Sequence, residues 1–269
     1  MACPSCGSDL QGRYCSACGE RALSARDFEL KHFLLEQLPH EFLHVNGKLP
    51  RTLRVLLTQP GEMAVNYVIG KRQRFVPPLR LYLILFLLHA FIAVVFGGPG
   101  ASLPERVRDF DVSGLLSHLL SFRPDVNWLS PAVASHVREQ ARWLSEVATL
   151  LLFLVMAAFQ KILFYRLRRH YLEHVALALN VATFYLAVLL TGELLVAAAT
   201  RHPLGDLEAV LQSVAAMIAL PVYWFFAIRR FYGIRKSLSA VSAILMTAAH
   251  AVIAVGLNTI VYAILIETT

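Results

Sequence analysis

The sequence predicts an all-α polytopic membrane protein with a small cysteine-rich head at its N-terminus. The 269 residues are 57% hydrophobic and 16% charged, with a mean hydropathy of +0.57. Soluble domains are usually about 45–50% apolar and about 25% charged. The apolar residues also form long runs, and about 20 such residues are needed to cross about 30 Å of hydrocarbon. All four cysteines lie outside these runs, within the first 20 residues.

The head, residues 1–20, has a metal-binding spacing. Its cysteines form two C-x-x-C pairs, each followed by glycine: Cys3, Cys6, Cys15 and Cys18. Two such turns supply the four thiolates of a structural zinc site. Because 20 residues cannot bury a core, we expect Zn²⁺ to supply the folding energy of a zinc ribbon or knuckle. Two disulfides or a redox C-x-x-C are the alternatives, but a cytosolic face is reducing and the βαβ context of thioredoxin-like motifs is missing.

Residues 24–78 read as cytosolic amphipathic helices lying in the membrane interface. Leucines at helical spacing predict helices at about 24–45 and 49–58. Pro60-Gly61 predicts a turn in which glycine adopts a positive φ. A short helix follows at 62–69 and ends at Gly70. A basic, apolar-striped series of this kind is typical of a membrane surface.

One sequence in this segment matches the H-E-x-x-H motif: His40, Glu41 and His44. In metalloproteases the two histidines bind zinc and the glutamate activates water. Pro39 and Gly47 confine the helix to about two turns, however, and no third ligand is evident. We therefore favour a surface helix and keep a membrane metalloprotease as an alternative.

Residues 79–269 form the predicted transmembrane domain. Five apolar runs predict five spans, at about 79–96, 144–164, 175–199, 209–228 and 238–266. Basic residues cluster at the span ends that lie in the cytoplasm when the N-terminus is cytoplasmic. An excess of Lys and Arg is typical of cytoplasmic loops. We therefore expect a multi-pass membrane protein, with the N-terminus cytoplasmic and the C-terminus outside. The external loop, about 97–143, holds two possible amphipathic helices at 110–122 and 131–143.

The net charge of +7 does not indicate nucleic-acid binding, because the cations cluster beside the spans. We expect them to contact anionic lipid head groups. The residues assigned to this interface are Arg51, Arg54, Lys71, Arg72, Arg74 and Arg80.

Polar residues inside the spans suggest a second class of function. His89, Glu193 and His250 could together relay protons or bind a cation, as in a small transporter or ion-coupled protein. Intramembrane histidine and asparagine also serve as hydrogen bonds between helices, which we favour for these residues and for Asn180.

Residues 1–96 resemble a family of uncharacterised bacterial inner-membrane proteins that share an N-terminal zinc ribbon and a domain of unknown function. The resemblance rests on the patterns C-P-x-C-G…Y-C-x-x-C-G and R-T-L-R-x-L-L-x-x-P-G-E…Y-x-x-G-K-R-x-R-F-x-x-P-x-R-x-Y-L. The matching residues are the four cysteines with Arg51, Thr52, Leu53, Pro60, Gly61, Tyr67, Gly70, Lys71, Arg72, Pro78 and Tyr82. The resemblance implies membership of this family and a location in the bacterial inner membrane, but no activity. The H-E-x-x-H motif is not part of the family pattern.

Every well-formed signal in the chain is thus structural or electrostatic. We expect a non-enzymatic membrane scaffold or sensor whose zinc ribbon docks a cytosolic protein partner. The sequence does not indicate the oligomeric state.

Overall fold

The computed structural model describes residues 2–10, 12–22, 47–96, 131–167, 170–200 and 218–268. The described chain is helical and contains no β-strand, only two isolated bridges in the head. The described residues after the head form seven α-helices, in this order: α1 (Leu49–Thr58), α2 (Glu62–Val68), α3 (Pro78–Phe96), α4 (Pro131–Leu163), α5 (Tyr171–Thr200), α6 (Leu220–Tyr232) and α7 (Lys236–Thr268).

The short helices α1 and α2 form a hairpin, as the sequence predicts. Pro50 starts α1 at a position where its missing N–H is not needed. The turn between the helices uses Gly61, at a φ of +77°, and α2 ends before Gly70, at a φ of +87°. Both values lie in the left-handed region that glycine enters without a Cβ penalty. We call residues 48–70 the hairpin.

Helix α5 is the centre of the bundle. It packs against α3, α4 and α6 and also touches both helices of the hairpin. In its apolar stretch Tyr171–Gly192, 61% of the residues of the most apolar window are buried. The corresponding share for the Lys236–Ala254 stretch of α7 is 22%. Helix α7 therefore lies at the periphery of the bundle, and its main described neighbours are α4 and α6.

The outer helix α7 shows a reversed distribution of polarity. Its buried side includes Ser239 and Ser242, while Val241, Ile244 and Val252 are more than half exposed. Small polar residues between helices and large apolar residues outside are typical of a bundle surrounded by lipid. Tyr171–Gly192 and Lys236–Ala254 are the two stretches of the described chain that are long and apolar enough to cross a membrane.

Helices α3 and α4 cover the predicted spans at 79–96 and 144–164 to within one residue. Within them, the apolar stretches Pro78–Ile92 and Leu150–Leu163 are shorter than a full span. The predicted amphipathic helix at 131–143 is not separate, because it continues into the second predicted span as the 33-residue α4. Helix α6 has 13 residues, and positions 209–217 of the fourth predicted span lie outside the described residues, as does the predicted helix at 110–122.

Candidate functional site

The two halves of the head are copies of one turn. In the first knuckle, residues 2–9, Cys3 donates its N–H to Ser8 at 2.8 Å and Gly7 donates to Cys3 at 2.9 Å. In the second knuckle, residues 14–21, Cys15 and Gly19 make the equivalent bonds, both at 2.8 Å. Gly7 and Gly19 have positive φ, which lets each turn close on its thiols.

The knuckles bring all four thiols together. The Sγ atoms of Cys3, Cys6, Cys15 and Cys18 all lie within 4.8 Å of one another. The closest pairs, Cys3 with Cys18 at 3.6 Å and Cys6 with Cys15 at 3.5 Å, are not bonded as disulfides. Thiolates tetrahedrally placed at about 2.3 Å from a zinc ion would be about 3.8 Å apart. The donor set and its spacing therefore fit one tetrahedral metal ion, and this is the one such cluster in the described part of the chain.

Four thiols this close cannot all ionise without a cation. Hydrogen bonds from the Ser8 side chain and backbone lower the pKa of Cys6 to about 6. The Glu20 backbone N–H also lowers the pKa of Cys18, but burial and the neighbouring thiols outweigh it and raise that pKa to about 12. One negative charge in the cluster thus opposes the next, and a bound cation removes this opposition.

Two hydrogen bonds attach the second knuckle to the described helical part of the protein. The carboxylate of Glu20 accepts the backbone N–H of Gln73 at 2.9 Å, and the Gln73 side chain donates to the Gly19 carbonyl at 3.3 Å. Glu20 is 1% exposed. We call these two hydrogen bonds the latch.

The latch continues into α1. Gln73 accepts a hydrogen bond from the Lys48 ammonium at 3.1 Å. Three residues further on, the Val76 N–H donates to the Thr52 hydroxyl at 3.1 Å, and Thr52 is completely buried in α1. The segment between α2 and α3 is therefore held on one side by the head and on the other by the hairpin.

The tip of the hairpin is wedged against α6. A Cβ built on Gly61 would lie 2.9 Å from both the Cα and the carbonyl oxygen of Ala227. Real Cβ atoms do not approach backbone this closely, so glycine is required for contact as well as for its positive φ. The Gly61 N–H donates to Asn180 Oδ1 on α5 at 3.2 Å.

Tyr223 satisfies a backbone group that the turn leaves open. The carbonyl of Leu56 would accept from residue 60 in a continuing helix, but that residue is Pro60 and has no N–H. The Tyr223 hydroxyl lies 3.0 Å from this carbonyl and 3.0 Å from Asn180 Oδ1. Asn180 therefore acts as a hydrogen-bonding contact between helices, the role expected for it. The sequence did not indicate its partners, the Gly61 N–H and the Tyr223 hydroxyl.

We call the contact of the hairpin tip with α5 and α6 the hairpin seat. An ion pair lies at its exposed edge. Glu62 lies 3.7 Å from Arg230, and Arg230 also donates to the Pro60 carbonyl at 3.3 Å. Asn66 donates to the Glu62 carboxylate at 2.8 Å and positions it. Because both charges are partly exposed, the pair itself contributes little, and its value is mainly orientation.

A second buried polar cluster joins α4, α5 and α6. Tyr232 hydrogen-bonds His174 Nδ1 at 2.5 Å and donates to Gln160 at 3.4 Å. Tyr232 also stacks on Phe164, with ring centroids 4.1 Å apart. Gln160 is completely buried in this cluster.

Five of the six predicted interface cations lie on the hairpin or in the loop after it, and Arg80 lies in the first turn of α3. Arg51, Arg54 and Arg74 are exposed, and Lys71, Arg72 and Arg80 are half-buried. Arg72 lies over the ring of Tyr67, 4.6 Å from its centroid, and Arg74 over Phe75 at 5.7 Å. These contacts orient the cations beside apolar surface, and lipid contact stays a prediction.

The predicted intramembrane cluster is not assembled by any described contact. His250 packs edge-to-face against Tyr185, with ring centroids 5.6 Å apart. His89 lies on α3, which is not among the main neighbours of α7. The side chain of Glu193 and the whole of the 40–44 motif, with His40, Glu41 and His44, lie outside the described residues, so those hypotheses stay untested.

Comparison with known proteins identifies one family. Residues 46–89 match the model of a family described as "Protein of unknown function (DUF3667)". The matched segment contains the hairpin tip, Thr52, Gln73 and the first half of α3, and it excludes the head. No curated protein and no solved structure matches the chain.

Proposed function

We propose that the chain is a non-enzymatic scaffold or sensor of the bacterial inner membrane, in which a zinc-bound head is mechanically joined to a helical bundle. The supporting observation is an unbroken series of contacts. The latch joins Glu20 to Gln73, Thr52 holds the following loop, and Leu56 meets Tyr223 in the bundle. Proteins carry coupling through contiguous contacts of this kind, and two-state behaviour is what an experiment must show.

Zinc is the metal that this proposal assigns to Cys3, Cys6, Cys15 and Cys18. An all-thiolate tetrahedral site favours Zn²⁺ among divalent ions and leaves no open position for substrate. The metal's part is then structural, and it fixes the distance between the two knuckles. This supports a docking role rather than catalysis.

Membrane insertion with five spans and a cytoplasmic N-terminus is the second part of the proposal. Its supports are the two span-length helices, the outward apolar side of α7 and the basic residues beside the helix ends. A reporter that is active only in the periplasm, fused after residue 269, should be active, whereas the same reporter fused after Gly233 should be silent. The reverse result would overturn the topology.

The docking proposal has a matched pair of variants. Ser5 and Ala17 occupy equivalent exposed positions, one in each knuckle. Because the second knuckle is already fastened by the latch, we expect the first to meet the cytosolic protein partner. In cross-linking of intact membranes, Ser5→Arg should lose the cross-linked protein and Ala17→Arg should keep it.

Zinc content decides whether that result reports docking. Both variants should hold one zinc ion per chain, whereas Cys15→Ser should hold none and lose the partner. Equal cross-linking in wild type, Ser5→Arg and Cys15→Ser would refute the docking function. A second zinc ion, lost only in His40→Ala, would instead point to the metalloprotease alternative.

A further inference from the structure

Beside the hairpin seat lies an open cavity of about 650 Å³ between α1, α5 and α6. This volume falls within the range of pockets that enclose small ligands. Its wall is formed by large apolar side chains: Leu57, Phe184, Val222 and Phe226. Leu57, Val222 and Phe226 are each about half exposed, so the cavity is a groove that opens sideways from the bundle.

One end of the groove is cationic. Arg229 and Arg230 line it together with the Thr58 hydroxyl, and no carboxylate is among its lining residues. Glu62 pairs with Arg230 from the hairpin side. Arg229 has no acidic partner among the described residues and is exposed. Among the described residues, the Arg229 guanidinium at the end of this apolar groove is thus available to an anionic ligand.

The order of these groups along α6 sets the shape of an occupant. Val222 and Arg229 are seven residues apart, which corresponds to about 10 Å along a helix. The groove thus presents an apolar wall of that length, with guanidinium groups at one end. Arginine suits phosphate oxygens because its planar donors pair with two of them.

We propose that this groove binds an anionic phospholipid, with its phosphate on Arg229 and an acyl chain along Phe184, Val222 and Phe226. The hairpin would then rest on a lipid as well as on protein, since Leu57 and Thr58 of α1 form part of the same groove. This site rests on the membrane location proposed above, because only there does the groove meet a lipid leaflet.

The test uses full-length protein in neutral detergent, titrated with fluorescent phosphatidylglycerol and with fluorescent phosphatidylcholine of the same chain length. Wild type should prefer phosphatidylglycerol. Arg229→Gln should weaken its binding about tenfold, the usual scale for a lost charge-assisted hydrogen bond. Arg229→Lys should bind with an affinity between those of wild type and Arg229→Gln, because lysine keeps the charge but loses the paired donors.

Two further variants separate a built site from general attraction to charge. Arg235→Gln removes an exposed cation three residues after α6 ends, outside the groove, and should change affinity less than twofold. Val222→Trp keeps every charge but fills the groove, and should weaken binding as much as Arg229→Gln. Equal losses in Arg235→Gln and Arg229→Gln, or no loss in Val222→Trp, would overturn the site.

The remaining arms identify the ligand and separate this proposal from the previous one. Inorganic phosphate at 10-fold excess over the lipid should not displace it, and full displacement would mean a small-anion site instead. Protein that stays in the aqueous phase without detergent would refute the membrane location. Protein that requires detergent but binds both lipids equally would refute the lipid site alone.

Discussion

The two knuckles of the head have the same turn, the same turn hydrogen bonds and equivalent cysteines, yet among the described residues the latch joins only the second to the loop before α3. The difference lies in one position. Ser8 of the first knuckle is exposed, whereas its counterpart Glu20 is buried against Gln73. A carboxylate that accepts a backbone N–H forms a stronger bond than a neutral hydroxyl does. Similar local folds can therefore divide two tasks, attachment and presentation, through a single side chain.

The largest effect is expected from variants that unfold both knuckles and so remove the difference between them. Cys3→Ser and Cys15→Ser each remove a ligand of the shared ion, so both should lose the metal and unfold both knuckles. Structural zinc provides about 10–16 kcal/mol of binding energy in isolated zinc fingers, far more than the latch can supply. Hydrogen exchange should then rise across residues 2–22 in both variants. Retained protection of the second knuckle in Cys3→Ser would contradict a shared metal site.

Unseating the hairpin should disturb the second knuckle more than the first. In Gly61→Ala the new Cβ meets the Ala227 backbone at 2.9 Å and the residue keeps an unfavourable positive φ. We expect a loss of about 2–4 kcal/mol from these two effects. Thermal unfolding measures it, and the matched control is Gly47→Ala, whose Cβ meets no atom within 4 Å. Equal melting temperatures for the two variants would contradict the wedge.

Removing the latch carboxylate should separate attachment from metal binding. Glu20→Ala removes the buried carboxylate that accepts the Gln73 N–H, at a cost of about 1–3 kcal/mol. The variant should keep one zinc ion but show faster hydrogen exchange at the Gln73 amide. Ser8→Ala is the matched control, because the Ser8 side chain contacts Cys6 inside the head. Slow exchange at Gln73 in Glu20→Ala would mean that the latch does not hold the loop.

The smallest effect tests the second bond of the latch. Gln73→Ala removes the donor to the Gly19 carbonyl and the acceptor of the Lys48 ammonium, but it keeps the backbone N–H that donates to Glu20. Because both side-chain contacts are exposed, we expect a combined loss of about 0.5–1.5 kcal/mol, the usual net value of one hydrogen bond. Protease cleavage between the head and the hairpin should accelerate less than in Glu20→Ala. A larger effect than that of Glu20→Ala would reverse the order assigned to the two bonds.

Local patterns predicted the local structure well. The cysteine spacing indicated the thiol cluster, and leucine periodicity gave the exact limits of α1. Pro60-Gly61 indicated the turn because proline and glycine restrict the backbone whatever surrounds them. Helix α4 was harder to predict, since the polarity of residues 131–143 suggested a break where the backbone continues as one helix.

Long-range partners were outside the reach of these patterns. Nothing near Gly61 in sequence indicates that it meets Asn180 and Ala227, and nothing near Glu20 indicates Gln73. Thr52, inside a leucine-rich helix, gave no signal that its hydroxyl would hold Val76. Such pairs depend on how helices pack, which a single sequence does not specify. One hint was present: Pro60 cannot donate to Leu56, so the Leu56 carbonyl required another donor.

The seat of the hairpin also sets an order of events during synthesis. Leu56 precedes its partner Tyr223 by 167 residues, and at about 5–20 residues per second a ribosome needs roughly 8–33 s to make that interval. Throughout this time the carbonyl that Pro60 leaves open has no tyrosine to meet it. The hairpin is thus synthesised early but can pack against α6 only after α6 has been synthesised. Nascent chains released before residue 223 should expose the Pro60-Gly61 turn to protease, and longer ones should protect it.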